Sequence, residues 1–173
     1  MNQSQTKKLA VAGVLCAVAV VGSMFIVFPV FGSKCAPVQH MVNVLCAVFL
    51  GQWYGVGVAF VASLIRNIQG VGSLMAFPGS MCGALLCGVV FWKWKELIPT
   101  LVAEVFGTGV IGGLLAYPVG ILFMNVDAGS VAFTAYIIPF LISTVAGSVL
   151  AGVLIFALKA SKALDPMVRK LQG

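Results

Sequence analysis

From Leu9 to Phe28 the chain runs for twenty residues without a charged side chain, and Ser23 is the only hydroxyl among them. About 20 such residues are what one helix needs to cross the hydrocarbon core of a bilayer. The pattern recurs, and the 28 residues from Val131 to Leu158 carry no charge either. Only 8% of the 173 residues are charged, whereas 61% are hydrophobic. A soluble domain carries about 25% charged residues and needs polar side chains to cover its surface. The solvent for most of this chain is therefore lipid. The runs are apolar on all sides and do not alternate with polar residues, as the strands of a membrane barrel do.

The length leaves room for about six spans of roughly 20 residues with short loops. The expected fold is an all-α integral membrane protein, a single bundle of six transmembrane helices occupying residues 1–173. The spans run from about Leu9 to Phe28, Val38 to Gly51, Trp53 to Gln69, Ser80 to Trp92, Ile98 to Leu122 and Val131 to Leu158. Residues 1–8 form a short N-terminus and 159–173 a basic tail that continues as a surface segment. Lys7 and Lys8 precede the first run as in a signal peptide. That run is too long for a signal core and has no obvious small-residue cleavage site, so it reads as a retained span.

Basic residues orient the bundle. With the N-terminus in the cytoplasm, Lys7, Lys8, Lys93, Lys95, Lys159, Lys162, Arg169 and Lys170 fall inside, and Lys34 and Arg66 fall outside. This asymmetry is that of cytoplasmic loops, and both termini are expected there. The net charge of +6 thus reports orientation and requires no nucleic-acid partner. The five cysteines form no CxxC pair, and four lie in apolar runs. They read as small buried hydrophobes, with no disulfide and no metal site expected.

Polar groups inside lipid are costly and mark function by default. Gln39, His40 and Asn43 open the second span, with His40 and Asn43 sharing a helix face. Arg66 and Asn67 close the third. Phe77 and Ser80 flank the start of the fourth, and Tyr117 and Tyr136 lie toward the outer ends of the fifth and sixth. Glu104 lies about 10 Å into the fifth span by helical rise, one turn before Thr108. It can bridge to Arg66, accept from Thr108 or meet a ligand. Arg66 can equally snorkel to phosphates, and the tyrosines can be belt aromatics. An outward-opening cavity fits this placement better than a channel, which needs polar lining throughout. On the first span Ala10, Gly13 and Ala17 form a small-residue face. Such faces pack helices within a bundle or against a partner.

Several segments carry a resemblance. Pro37-Val38-Gln39-His40-Met41, Arg66-Asn67, Phe77-Pro78-Gly79-Ser80-Met81, Glu104 with Gly107-Thr108-Gly109, Leu115-Ala116-Tyr117-Pro118 and Ile138-Pro139-Phe140 together resemble the ThiW family from about Lys8 to Ala157. These are substrate-binding S components of energy-coupling-factor transporters. The resemblance implies a multi-pass protein of a prokaryotic plasma membrane that takes up hydroxyethylthiazole, the thiazole half of thiamine. It implies no cofactor and no catalysis. It also implies a transmembrane coupling subunit and two cytoplasmic ATPase subunits as partners, since the chain has no GxxxxGK[ST] phosphate loop. The face of Ala10, Gly13 and Ala17 is where the coupling subunit is expected. His40, Asn43 or Glu104 are expected to hold the hydroxyl or ring nitrogen, with Phe77, Tyr117 or Tyr136 stacking on the ring. An S component for another small nutrient and an autonomous ion-coupled transporter with Glu104 as its relay are the alternatives. A membrane enzyme has few catalytic groups to draw on.

Overall fold

Each apolar run becomes a helix because a backbone in lipid must satisfy its own N–H and C=O groups. The computed structural model describes residues 3–30, 33–127 and 129–172. The elements are α1 (Gln3–Phe25), a hairpin of β1 (Phe28–Val30) and β2 (Ser33–Cys35), α2 (Pro37–Phe49), α3 (Gln52–Ile68), α4 (Ala76–Trp94), α5 (Leu97–Met124), α6 (Ile137–Ala160) and α7 (Leu164–Gln172). Among the described residues, α1, α4, α5 and α6 are long and apolar enough to cross a membrane. The chain is an α-helical membrane protein.

Two of the six expected spans are shorter. Helix α3 has 17 residues and α2 has 13, about 25 and 20 Å by helical rise. Helix α2 is the inner element, with every residue except Met41 buried. It packs against α1, α3, α4 and α6. A helix enclosed this way can be short, because its neighbours, and not lipid, surround its ends. Helix α3 instead turns Trp53, Phe60, Val61, Leu64 and Ile68 outward.

The structure corrects the expected boundaries in four places. Helix α1 begins at Gln3 and ends at Phe25, and Phe28 belongs to a strand. The segment expected as a loop between spans one and two is an antiparallel hairpin, with Phe28 opposite Cys35 and Pro29 opposite Lys34. Helix α4 starts at Ala76, since Pro78 is tolerated in a first helical turn. Helix α6 starts at Ile137, and turns occupy residues 133–136. In α5, residues Val105–Gly112 form a π-helical segment between two α-helical stretches. Such segments occur mostly at functional sites.

The turn from α2 to α3 closes on Gly51, whose φ of 94° favours a residue without a side chain. Its N–H donates to the Cys46 carbonyl at 2.9 Å. In the tail, α7 packs Leu164, Val168 and Leu171 against the core. The Ser4 hydroxyl donates to the Leu171 carbonyl at 3.2 Å, so the described ends of the chain meet at one end of the bundle. The polar cluster lies at the other end, where α2 begins and α3 finishes.

Candidate functional site

The first turns of α2 place Gln39, His40 and Asn43 on the inner side of the hairpin. All three are buried. They face Ser63 and Arg66 from α3, Ser80 from α4, and Glu104 and Thr108 from α5. Eight polar side chains from four helices thus form one network inside an apolar bundle.

Glu104 is its deepest member and is fully buried. Its Oε1 meets three groups: Thr108 Oγ1 at 2.9 Å, Asn43 Nδ2 at 3.1 Å and His40 Nδ1 at 3.2 Å. Thr108 follows Glu104 by four residues, so the helix itself aligns this pair. Asn43 Nδ2 also donates to the Ser80 carbonyl at 3.1 Å, and Thr108 Oγ1 shares its one proton between Glu104 and the Gly79 carbonyl, 3.2 Å away. These two bonds clamp α2 and α5 to the start of α4. Close approach is possible because residue 83 is glycine. A Cβ there would lie 2.0 Å from Thr108 Oγ1 and 2.6 Å from Glu104 Oε2.

A second chain of bonds runs through Arg66. Its Nη1 donates to Gln39 Oε1. Gln39 Nε2 donates to Ser63 Oγ at 2.9 Å, which lies 3.1 Å from Ser80 Oγ, and Ser80 Oγ donates to the Ala76 carbonyl at 2.9 Å. A bridge from Arg66 to Glu104 was one expectation, and it does not form. Arg66 is engaged by Gln39 instead, and Glu104 by His40, both from the first turns of α2. Among the described residues, three buried atoms of this cluster have no hydrogen-bond partner: Arg66 Nε, Asn43 Oδ1 and Glu104 Oε2. Each such group costs about 1–3 kcal/mol unless something satisfies it. One donor and two acceptors within one cluster are the complement of a small ligand that both accepts and donates.

Above the network lies a small cavity of about 40 Å³. It is lined by Gln39, His40, Arg66, Ser80 and Thr108, and closed by Lys34 and Ala36 beside Phe140. This is about the space of one water molecule. A ring-sized guest enters only if the cover shifts. The hairpin is the cover, and it is tied down on α6. The Ala36 N–H donates to Ser143 Oγ at 3.0 Å, and Cys35 Sγ donates to the Pro139 carbonyl at 3.2 Å. Burial pushes the Cys35 thiol up from its ordinary value.

The remaining expected site residues lie apart from this cavity. Asn67 Nδ2 donates to the Ser63 carbonyl at 2.8 Å and the Ser73 carbonyl at 3.1 Å, which fixes the loop after α3. Phe77 packs on Phe60 with ring centroids 5.5 Å apart. Tyr117 meets Phe133 edge-on at 5.2 Å. The Tyr136 hydroxyl lies beside Gly120. Conversely, Ser63 and Ser143 join the site without having been singled out; Lys34 was expected only as part of a lid loop, and Phe140 only as part of the segment Ile138-Pro139-Phe140. Ser63 precedes Arg66 by three residues, a spacing that places both on one helix face. Lys34 reaches the site only through the hairpin, which no local pattern announces, and Ser143 reaches it from α6.

The small-residue face of α1 also takes a definite place. Ala10, Gly13 and Ala17 are exposed, and a Cβ on Gly13 would meet nothing within 4 Å. Gly13 and Ala17 line an open apolar groove of about 840 Å³ between α1 and α3.

The family described as thiamine-precursor transporter protein (ThiW) matches residues 9–161. The chain belongs to this family, and is thereby a component of transport for a thiamine precursor, a small molecule, across a membrane. None of the curated proteins matches it significantly.

Proposed function

We propose that this chain is the substrate-binding component of an energy-coupling-factor transporter and captures hydroxyethylthiazole from outside the cell. The observation that carries this reading is the buried network of His40, Asn43, Glu104 and Thr108 beneath a small covered cavity. A neutral, flat, aromatic ligand with one hydroxyl suits an apolar pocket with few placed polar groups. Its hydroxyl can donate to an unpaired acceptor such as Asn43 Oδ1 or Glu104 Oε2, and its ring nitrogen can accept from Arg66 or His40. Phe140 supplies an apolar face at the cavity, in place of the three aromatic residues that the resemblance implied.

In this reading α2 and α3 complete a six-helix bundle whose N- and C-termini face the cytoplasm of a prokaryotic cell. The polar cluster then opens outward, and the hairpin around Lys34 is its lid. Energy comes from a transmembrane coupling subunit and two ATPase subunits. The exposed face of Ala10, Gly13 and Ala17 is the contact for the coupling subunit, and the whole bundle topples to carry the site inward.

The test is a binding titration of the purified chain with hydroxyethylthiazole, and with other small vitamins as comparators. Saturable binding that Glu104→Gln and Asn43→Ala weaken is the expected result. No saturation by hydroxyethylthiazole, with saturation by another nutrient, moves the substrate. A second reading is a proton-coupled transporter, favoured by one observation: His40 and Glu104 form a titratable pair 3.2 Å apart inside the bundle. Uptake in cells lacking the ATPase subunits decides between the two.

A further inference from the structure

At the end of the bundle opposite the polar cluster lies a second hollow, of about 390 Å³, where α1, the α2–α3 turn and the end of α4 meet. Its wall has an unusual composition for this chain. Lys8 and Lys95 both line it, together with Gln52, Trp53, Tyr54 and Trp92. Lys95 ends α4 in a left-handed conformation, φ 57°, and its Nζ lies 5.3 Å from the centre of the Phe91 ring. Neither lysine has a carboxylate partner among the described residues. The neighbouring acid, Glu96, is not part of the wall. Trp53 and Trp92 are largely exposed, as indoles are at the headgroup level of a bilayer.

This hollow does not stand alone. Trp53 and Tyr54 also line the apolar groove between α1 and α3. From Leu9 to Val21 that groove follows α1 for about 18 Å by helical rise, close to the roughly 15 Å of one leaflet's hydrocarbon. It exists because Gly13, Ala17 and Gly57 put no bulk on the facing sides, and a Cβ on Gly13 or Gly57 would meet nothing within 4 Å. A cationic, hydrogen-bonding mouth thus opens into an apolar channel that follows the membrane depth.

We propose that the two together form one site for a glycerophospholipid with an anionic headgroup. The phosphate lies between Lys8 and Lys95 with indole and amide N–H donors around it, and one acyl chain lies in the α1–α3 groove. Basic pockets between membrane helices hold anionic headgroups by this charge match. The site depends on the chain's place in the membrane and not on which precursor it carries. Since Gly13 and Ala17 line the groove, a partner docking on that face displaces the lipid.

The test is native mass spectrometry of the full chain in detergent, titrated with phosphatidylglycerol or phosphatidylcholine of identical acyl chains. Phosphatidylglycerol is expected to be retained at least tenfold more strongly. Lys8→Ala and Lys95→Ala are each expected to weaken it about fivefold, at roughly 1 kcal/mol per basic residue, and to leave phosphatidylcholine unchanged. Gly13→Leu, which fills the groove, is expected to weaken both lipids. Equal retention of the two lipids, insensitive to both lysine changes, overturns the proposal. So does displacement of phosphatidylglycerol by inorganic phosphate, which would make the hollow a site for soluble anions. Loss of lipid retention in Gly13→Leu with hydroxyethylthiazole binding intact separates this site from the substrate site.

Discussion

Helix α3 presents two hollows to the rest of the molecule, and they are opposites. One face carries Ser63 and Arg66 into a buried polar network beneath a cavity of about 40 Å³. The other face carries Gly57 and Val61 into an apolar groove of about 840 Å³. The larger space is lined by apolar groups along its length, with Trp53 and Tyr54 at one end. Volume alone therefore identifies the wrong region for recognition of a small polar molecule. Donors and acceptors that a wrong ligand leaves unsatisfied are what confer selectivity. Of the three unpaired atoms, Arg66 Nε belongs to a residue that lines the smaller space, and Asn43 Oδ1 and Glu104 Oε2 belong to the network beside it. The groove can take any apolar surface of suitable width, which fits lipid or a helix.

The sharpest way to break this contrast is to place a methyl group in each region. Gly83→Ala puts a Cβ onto Thr108 Oγ1 and the Glu104 carboxyl. Either the clamp between α4 and α5 opens or Glu104 leaves its partners. Overpacking of this kind costs about 1–3 kcal/mol. Loss of measurable substrate binding with a lowered thermal unfolding midpoint is the expected outcome. Full affinity in Gly83→Ala would mean that Glu104 plays no part in recognition.

Glu104→Gln keeps the shape but exchanges one carboxyl oxygen for an amide. The Oε1 position still accepts from Thr108 and Asn43, while the free acceptor at Oε2 becomes a donor. A tenfold to hundredfold loss of affinity is expected, at about 1.4 kcal/mol per factor of ten, and calorimetric titration measures it. Arg66→Lys is milder. The ammonium replaces the bond to Gln39 but not the planar second edge that carries Nε. About a tenfold loss is expected, and an unchanged constant would reduce Arg66 to a brace for Gln39.

Much of this was legible in the sequence, and the limits have physical reasons. Glu104, His40 and Asn43 stood out because polar groups inside apolar runs are rare. Their partners did not follow from depth along each helix. Helix α2 is short and enclosed, so its first turns reach Glu104 and Arg66 and engage each separately. The three aromatic residues expected to stack on a ligand lie apart from the cavity for a related reason. Phe77, Tyr117 and Tyr136 sit at the correct end, but their direction depends on packing against Phe60, Phe133 and Gly120, which no spacing encodes. The hairpin was missed because three-residue strands leave no periodic signal. It brings Lys34 to the site, and Cys35 beside it.

Cys35 offers a readout of the lid. The thiolate is the reactive form, and burial raises this thiol above its ordinary value of 9.0. The folded chain thus holds the proton where the unfolded chain has lost it. Stability from this group is present below the unfolded value and falls as pH rises through the folded one. Alkylation of Cys35, located by mass spectrometry, is expected to be slow at neutral pH and faster as pH rises. Bound substrate is expected to slow it severalfold further by holding the hairpin shut. Labelling that is insensitive to substrate would free the hairpin from the role of cover.

The smallest effect is expected on the other face of α3. Gly57→Ala adds its methyl to open space, inside a helix where alanine is favoured over glycine by about 0.5–1 kcal/mol. Substrate affinity within twofold of the parent and an unfolding midpoint equal or slightly higher are expected. The two glycines lie on helices that pack against each other and receive the same atom, so composition and membrane depth cannot account for a difference between them. What differs is whether the added carbon meets a placed oxygen or nothing. If Gly57→Ala impaired binding as severely as Gly83→Ala, the two hollows would be energetically one. Recognition would then depend on the fit of the whole bundle, and not on the network under the hairpin.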